Sequence, residues 1–180
     1  MGREKTAAEK RAELLIKYRN LAVEREEQDG NLITYYLSKD GEKIIMHCLN
    51  VVQTIGISYI RDLKQVVDKE EADKGILVGE GKYTYSAKSS APKLNVELIP
   101  PTLPTFDIFE HELVPKSYII NEEERQRIIE KYHAQPYQYP WMKVADPIAI
   151  ILGAVAGDVI CINTKSETAG LSKSYRYVVV

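Results

Sequence analysis

The sequence contains few cysteines and no long apolar run, and both features narrow the class of protein. Its two cysteines, Cys48 and Cys161, are far apart, and each lies in an apolar stretch. A disulfide framework or a zinc-binding Cys-x-x-Cys pair requires more cysteines at closer spacing, so we interpret both as buried thiols of a reducing compartment. The longest apolar run, residues 148–156, is interrupted by a glycine and is too short to span a bilayer.

The N-terminal stretch also lacks the features of a targeting segment. Residues 1–15, MGREKTAAEKRAELL, do not contain the apolar core of a signal peptide. We therefore expect a soluble intracellular protein without a membrane partner, cytoplasmic in general and nuclear if the source is eukaryotic.

A basic excess is missing as well. The chain has 24 lysines and arginines against 26 aspartates and glutamates, which gives a formal net charge of -2 at pH 7. A free-standing nucleic-acid-binding protein usually carries a clear basic excess, so any contact with DNA should be local or shared with a partner. The hydrophobic fraction of 44% is large enough for a core and excludes wholesale disorder.

The first hundred residues alternate between helical and strand patterns. Apolar residues at helical spacing predict an amphipathic helix over about residues 5–28, which Gly30 would end. Such a helix either packs against its own domain or binds a partner. Two β-rich runs flank Asp40-Gly41, a dipeptide typical of a tight hairpin turn.

A second helical pattern and two short strands complete this region. The helix is predicted to start near Ile57 and to be closed by Gly75. The segments GILVGEG (75–81) and LNVELIP (94–100) are short apolar strands of the kind buried in an α/β sheet, with a short helix or turn between them. Residues 1–99 therefore predict a small α/β domain.

A proline-rich segment separates this region from a second domain. Residues 100–106, PPTLPTF, contain three prolines and suit neither a helix nor a central strand, so they predict a stiff linker. Beyond it, Asn121 is typical of a helix N-cap. Asp146 and Pro147 predict the start of a shorter helix, and two β-rich runs flank the turn at 166–170. Residues 107–180 therefore predict a small α+β domain.

Motifs for metal or phosphate chemistry are incomplete. His111-Glu112 resembles the start of the zinc motif His-Glu-x-x-His, but position 115 is proline. The sequence contains no Gly-x-Ser-x-Gly, and residues 79–86 have two glycines of a phosphate loop without its lysine-serine pair. We predict no metal site, no cofactor and no small-molecule substrate.

One tripeptide resembles part of a nuclease site. Glu80-Gly81-Lys82 spells Glu-x-Lys after a strand, and metal-dependent nucleases combine an acidic pair with a lysine near the attacking water. The preceding strand, EKIIMHCLN (42–50), has no acidic residue at its centre. This pattern alone leaves open a nuclease-fold DNA-binding protein, degenerate or weakly active, and a free adapter that uses the first helix is a third alternative.

The C-terminal region resembles a small archaeal RNA polymerase subunit, the counterpart of the fifth subunit of the eukaryotic nuclear polymerases. The resemblance is carried by HELVPK (111–116), ADPIA (145–149), LGAVAGDVI (152–160) and KSETAG…SYRYV (165–178), in the family's order and at similar separations. It implies a non-catalytic subunit of DNA-directed RNA polymerase whose C-terminal domain docks on the largest subunit and assembles with the others.

The N-terminal region resembles, more loosely, the jaw domain of the eukaryotic subunit, whose fold is similar to a restriction endonuclease. KGILVGEGKYTYSAK (74–88) is similar to the strand-then-helix of the methylated-DNA-restriction branch of that fold. In that branch a catalytic Gln-x-Lys lies one strand earlier, where this chain has His47-Cys48-Leu49. The resemblance therefore implies a jaw beside downstream DNA and the absence of nuclease chemistry.

Two sets of residues are candidates for these contacts. The resemblance and the docking strip after the linker predict an assembly interface that comprises His111, Glu112, Leu113, Val114, Pro115, Lys116, Asp146, Pro147, Tyr175 and Arg176. Basic residues around the strand-helix segment predict DNA contacts at Arg61, Lys64, Lys82, Lys88 and Lys93. No residue is predicted to be catalytic.

Overall fold

The computed structural model describes residues 5–50, 52–166 and 170–180. They form two compact units that divide between Phe106 and Asp107. No helix within these ranges is long and apolar enough to cross a membrane.

The first unit is built around a five-stranded mixed sheet. In chain order it contains α1 (Ala7–Tyr18), β1 (Ala22–Asp29), β2 (Leu32–Lys39), β3 (Glu42–Leu49), β4 (Thr54–Ile55), α2 (Ile57–Lys69), β5 (Lys74–Gly79), β6 (Lys82–Tyr83), α3 (Tyr85–Ser90) and β7 (Val96–Ile99). The strand order is β1-β2-β3-β5-β7, antiparallel from β1 to β3 and parallel from β3 to β7, and β4 pairs with β6 separately. The predicted α/β fold of this region is confirmed.

The two faces of this sheet are covered by different helices. Alternate residues of β3, Ile45 and Leu49, pack in one apolar cluster with Ile60 and Leu63 of α2. Successive strand residues point to opposite faces, so Asn50 lies on the other side, where its amide donates to Glu9 of α1 at 2.7 Å. The sheet is therefore covered on both faces, by α2 and α3 on one and by α1 on the other.

The hairpin predicted at Asp40-Gly41 is confirmed. Lys39 pairs with Glu42, and the two residues between them have φ angles of 52° and 91°. Positive φ at both central positions is what the twist of a two-residue hairpin requires, and Asp-Gly adopts it at low cost.

The helix predicted over residues 5–28 is wrong beyond Tyr18. Asn20 adopts a φ of 54°, and the Leu21 amide donates to the Ile16 carbonyl at 3.0 Å, which closes the helix end. The charged run that follows forms β1, because pairing with β2 satisfies its backbone, and all eight of its residues are exposed. Pairing with a neighbouring strand has overridden a composition that favours a helix.

The predicted closure of the second helix by Gly75 is also wrong. The helix ends at Lys69, and Glu71 makes the reversal with a φ of 51°. Gly75 instead lies inside β5, where an added Cβ would come within 3.2 Å of the Leu63 side chain. The glycine allows α2 to approach the sheet closely.

The segment predicted as a stiff linker packs into the first unit. Leu103 is only 2% exposed. The Arg11 guanidinium of α1 donates to the carbonyl of Leu103 at 2.7 Å, to that of Pro101 at 2.6 Å and to that of Gly79 at 3.3 Å. The prolines suit this arrangement because the buried arginine satisfies carbonyls that no strand pairs with.

The second unit is a four-stranded sheet with one helix on each face. It contains β8 (Lys116–Ile119), α4 (Glu122–Tyr132), β9 (Trp141–Lys143), α5 (Pro147–Leu152), β10 (Val159–Ser166) and β11 (Gly170–Val179), with strand order β8-β10-β11-β9. Ile128 of α4 packs with Cys161 on one face, and Ala149 of α5 packs with Ile160 on the other. The predicted α+β class is confirmed.

Both predicted helix starts in this unit are confirmed. The Asn121 side chain accepts from the Glu124 amide at 2.8 Å, and the Asp146 side chain accepts from the Ile148 amide at 2.9 Å. Gly153 ends α5 with a φ of 75°. These caps satisfy amides that the first turn of a helix leaves free.

Candidate interaction surfaces

The predicted docking strip forms an exposed turn ahead of β8. The Val114 amide donates to the His111 carbonyl at 3.0 Å, and the Leu113 amide donates to Nδ1 of His111 at 3.2 Å. Glu112 is exposed, Pro115 is half-buried and Leu113 is 84% exposed. The turn ends where Lys116 begins β8, the edge strand of the sheet. An exposed leucine on a hydrogen-bonded turn is suited to docking on an apolar partner surface.

Two other predicted assembly residues meet at the opposite edge of the same sheet. Asp146 and Arg176 line a cleft of about 450 Å³ together with Trp141, Met142, Lys143 and Ala145, next to Pro147 at the start of α5. Trp141 is 71% exposed, and its indole N–H donates to the Tyr137 carbonyl at 3.2 Å. Sequence reasoning missed Trp141, although it is the chain's one tryptophan, because it lies outside the quoted family motifs.

Tyr175 does not join that cleft. Its ring packs against Tyr132 and Tyr139, with centroids 6.2 and 6.1 Å apart, beside the apolar cluster under α4. Burial raises the pKa of Tyr175. Adjacent strand residues point to opposite faces, so Tyr175 and Arg176 cannot serve one surface. The ten predicted residues thus lie in three places, and their role in assembly stays a prediction.

The predicted DNA contacts lie around α2 and α3. Arg61 and Lys64 belong to α2, Lys82 to β6 and Lys88 to α3, while Lys93 lies in the 3₁₀ turn at Pro92–Leu94. Helices α2 and α3 share one apolar cluster through Ile60, Leu63, Ala87 and Ala91.

These basic side chains differ in whether they already form an ion pair within the protein. The ammonium of Lys64 forms an ion pair with Asp68 at 2.7 Å. Lys82, Lys88 and Lys93 are exposed, and none makes an ion pair within residues 5–50, 52–166 and 170–180. Sequence reasoning therefore overestimates the charge that Lys64 can offer to a phosphate.

In the Glu80-Gly81-Lys82 tripeptide, the side chain of Glu80 has a structural role. The Glu80 carboxylate accepts from the Ala7 amide at 2.9 Å and from the Ala8 amide at 3.4 Å, so it caps the N-terminus of α1. The Lys82 amide donates to the Gln53 carbonyl at 3.0 Å. The carboxylate needed for a Glu-x-Lys nuclease site is therefore already bound to a helix end.

The place where the resemblance puts the catalytic Gln-x-Lys offers no nuclease chemistry. Leu49 lies buried in the apolar cluster under α2. Burial raises the pKa of the Cys48 thiol to about 12, so it stays protonated. In the part of the chain that the structure describes, no three His, Cys, Asp or Glu side chains are grouped to hold a metal ion.

An acidic cleft lies beside this strand, and sequence reasoning missed it. The cleft has a volume of about 840 Å³ and is lined by Glu27, Gln28, Asp29, Leu32, Thr34, Tyr36, His47, Asp62, Gln65, Val66, Lys69 and Glu70. Because these residues come from β1, β2, β3 and α2 with its C-cap, no local sequence pattern could have predicted it.

His47 of β3 is the unusual member of this lining. Its side chain is 3% exposed, and its Nε2 is the only buried side-chain nitrogen or oxygen in the described residues that has no hydrogen-bond partner. Burial lowers the pKa of His47 to about 4, although the nearby Asp62 carboxylate opposes the shift. The imidazole is therefore neutral at pH 7.

Comparisons with known proteins assign the two units to families. Residues 106–178 match the family model described as RNA polymerase Rpb5, C-terminal domain, and residues 9–102 match the model described as restriction endonuclease. DNA-directed RNA polymerase subunit Rpo5 of Thermococcus onnurineus is 49% identical over 74 residues, which are 41% of this chain and 90% of that protein.

The Rpo5 proteins of two other archaea give the same result. The Rpo5 proteins of Sulfolobus acidocaldarius and Methanosarcina acetivorans are 44% identical over 73 residues and 45% identical over 74 residues. The matches cover 87% and 95% of those proteins and 41% of this chain in each case. These relatives therefore align over most of their length with the second unit.

The chain thus joins a domain of the restriction-endonuclease type to an RNA polymerase subunit domain. It belongs to the Rpo5 family of RNA polymerase subunits. The resemblance of the C-terminal region to the polymerase subunit and the endonuclease-like fold of the N-terminal region are both confirmed.

Proposed function

We propose that this chain is a non-catalytic subunit of DNA-directed RNA polymerase and acts in transcription. The observation that carries the proposal is the match of residues 106–178 to the Rpb5 C-terminal domain, together with relatives that are named as polymerase subunits. In an archaeal source the complex would work in the cytoplasm.

The second unit is the assembly domain in this proposal. Its exposed turn at His111–Lys116 and its cleft around Asp146 and Arg176 offer two surfaces on opposite edges of one sheet. Leu113 and Trp141 are exposed to 84% and 71%, and large apolar side chains of this kind dominate the energetics of protein interfaces. We assign these surfaces to the largest polymerase subunit.

The first unit is a jaw beside downstream DNA in this proposal. Lys82, Lys88 and Lys93 are exposed near one another in the chain, on β6, α3 and the following turn. Lysines that contact phosphates give affinity without base specificity. The net charge of -2 for the whole chain predicts weak DNA binding outside the polymerase.

Purification of the polymerase with the tagged full-length chain tests the assignment. We expect the tagged chain to copurify stoichiometrically with the largest subunit, and a Leu113→Asp, Trp141→Ala variant to copurify less while it remains folded. A Lys39→Glu variant at the exposed β2–β3 turn is the matched control. Recovery of the chain without any polymerase subunit would contradict the proposal.

A DNA-cleaving enzyme is the second candidate, because residues 9–102 match a restriction endonuclease model. We propose that this activity is absent, since the Glu80 carboxylate caps α1 and β3 carries Leu49 where the resemblance implies lysine. The test is incubation of the purified chain with supercoiled DNA and magnesium or manganese. Cleavage that disappears in the Lys82→Ala variant would support the enzyme; cleavage that persists would indicate a contaminant.

A further inference from the structure

The acidic cleft and the outer strand of the first sheet form one continuous surface. Strand β1 is at the end of the strand order, and its outer edge has no strand partner within the described residues. Glu27 and Asp29, two positions apart on β1, line the cleft. A strand added along β1 would therefore place every second side chain on the cleft side.

Three acceptor groups in this cleft have no side-chain partner and favour a hydrogen-bond donor that carries positive charge. The side chains of Asp29 and Asp62 make no hydrogen bond or ion pair in the described part of the chain. Nε2 of the neutral His47 also has no partner, and it accepts a hydrogen bond when the ring carries its proton on Nδ1. An orphaned buried nitrogen costs free energy, which a bound donor would recover.

The other two carboxylates are partly compensated by Arg25. Its guanidinium is 3.2 Å from Glu27 and 3.7 Å from Glu70, and it stacks on the Tyr36 ring at 3.8 Å. The contact of the Arg25 guanidinium with the Tyr36 ring and the two carboxylates lies at the rim of the cleft. A second arginine or lysine, from a bound segment, could make contacts of the same kind deeper in the cleft. Lys69 is the one basic residue in the cleft lining.

The composition of β1 restricts which strand could be added. The strand carries four acidic residues and one arginine within its eight positions. Like charges on adjacent strands repel, so a second copy of this chain or an acidic strand would be rejected and a basic one accepted.

DNA is also rejected on this side of α2. The residues of α2 that line the cleft are Asp62, Gln65, Val66 and Lys69, and among them Asp62 and Val66 lie on the side of the helix opposite Lys64. The exposed Lys82 and Lys88 are not among the residues that line the cleft. The cleft therefore lacks the group of free lysines that binding to a phosphate backbone would need.

We infer that this cleft and the β1 edge bind an extended, lysine- or arginine-bearing segment of a protein partner, which pairs with β1 and places a cationic side chain among Asp29, His47 and Asp62. This goes beyond the proposed subunit function and does not depend on it. The backbone of β1 provides affinity, and the acidic lining selects the basic side chains.

Titration of the isotope-labelled full-length chain with a blocked heptapeptide of alternating lysine and threonine tests the inference. We expect chemical-shift changes to concentrate at the β1 amides and the His47 ring, and the matched glutamate-threonine peptide to cause none. Changes that map elsewhere would overturn the inference. The inference would also be overturned if millimolar magnesium chloride or a short DNA duplex caused larger chemical-shift changes at the cleft than the lysine peptide does.

Three variants separate a specific site from general attraction. The Asp29→Asn, Asp62→Asn variant should bind the lysine peptide roughly fivefold more weakly at low salt. The control variant Glu42→Gln, Asp68→Asn has the same net charge but alters carboxylates outside the cleft, and it should keep wild-type affinity. Equal weakening in both would overturn the inference.

The His47→Leu variant tests the orphaned nitrogen. It should bind the peptide more weakly while its resistance to urea is equal to or higher than that of the wild type, because the unsatisfied nitrogen is gone. A purely structural histidine would show no loss of peptide affinity. Full retention of affinity would overturn the role assigned to His47.

Discussion

At the scale of single residues, Gly81 lies in the segment that resembles a phosphate loop, but close packing of the backbone explains why a glycine is needed there. An added Cβ would lie 2.2 Å from the Val52 carbonyl oxygen and 2.6 Å from the carbonyl carbon of Gln53. Both contacts are backbone atoms next to the β4–β6 pair, so no side chain can rotate away. The resemblance of residues 79–86 to a phosphate loop thus has a steric explanation.

The corresponding prediction is that Gly81→Ala lowers the free energy of unfolding of the first unit by about 2 kcal/mol or more. Urea unfolding followed by far-UV circular dichroism measures the change. Gly56→Ala is the matched control, since the nearest atom to its added Cβ is 3.9 Å away. Equal stability of the two variants would contradict the steric argument.

Glu97 provides a second prediction at this scale. Its carboxylate accepts from Arg19 at 2.6 and 2.9 Å and pairs with Lys74 at 2.6 Å. Burial alone would raise the pKa of Glu97, but the two cations outweigh it and lower the pKa to about 2. Because the folded-state pKa lies below the usual 4.5, the stabilisation is complete above pH 4.5 and is lost as the pH falls towards 2.

The shift corresponds to about 3 kcal/mol at neutral pH. We expect Glu97→Gln to lower the unfolding free energy at pH 7, because Arg19 is only 6% exposed and loses its charged partner. The variant should also lose less stability than the wild type between pH 4.5 and 3. Urea unfolding at each pH tests this, with the exposed Glu42→Gln as control; parallel pH profiles would refute it.

At the scale of elements, Arg11 joins three segments that are distant in sequence. Its guanidinium reaches the carbonyls of Gly79, Pro101 and Leu103, which ties α1 to the end of β5 and to the proline segment. We predict that Arg11→Met lowers the unfolding free energy by about 3 kcal/mol, because three carbonyls lose a charged donor. Residues 100–106 should then become sensitive to limited proteolysis.

The Arg11→Lys variant refines this test. An ammonium keeps the charge but cannot offer the planar set of donors that reaches three carbonyls, so its stability should lie between those of the wild type and Arg11→Met. Proteolysis of residues 100–106 at the wild-type rate in both variants would show that the segment does not depend on Arg11.

The elements that the sequence predicts correctly are those with local determinants. The Asp40-Gly41 turn and the caps at Asn121 and Asp146 each depend on a few adjacent residues. Strand β1 could not be predicted in this way, because its charged sequence favours a helix and only pairing with β2 makes it a strand. The acidic cleft is assembled from four elements and has no sequence pattern at all.

At the scale of the whole molecule, the charges of the first unit are sorted although the chain is close to neutral. The cleft beside α2 carries four carboxylates, whereas the exposed lysines of β6 and α3 make no ion pair in the described residues. The second unit matches the C-terminal domain of an RNA polymerase subunit. This arrangement favours one surface for phosphates and another for a basic protein segment.

The prediction for the assembled polymerase concerns those lysines. Replacing Lys82 and Lys88 with glutamate should reduce the stability of the open complex at moderate salt, because each lost phosphate contact removes counterion release and lowers the salt slope by about 1. The half-life of the open complex, measured over a salt series, reports the effect. Lys39→Glu, at the exposed hairpin turn of the same unit, is the control and should leave the slope unchanged. If the double variant has the wild-type half-life at every salt concentration, Lys82 and Lys88 do not contact the DNA. If the double variant and the control lose stability equally, the effect is one of net charge alone.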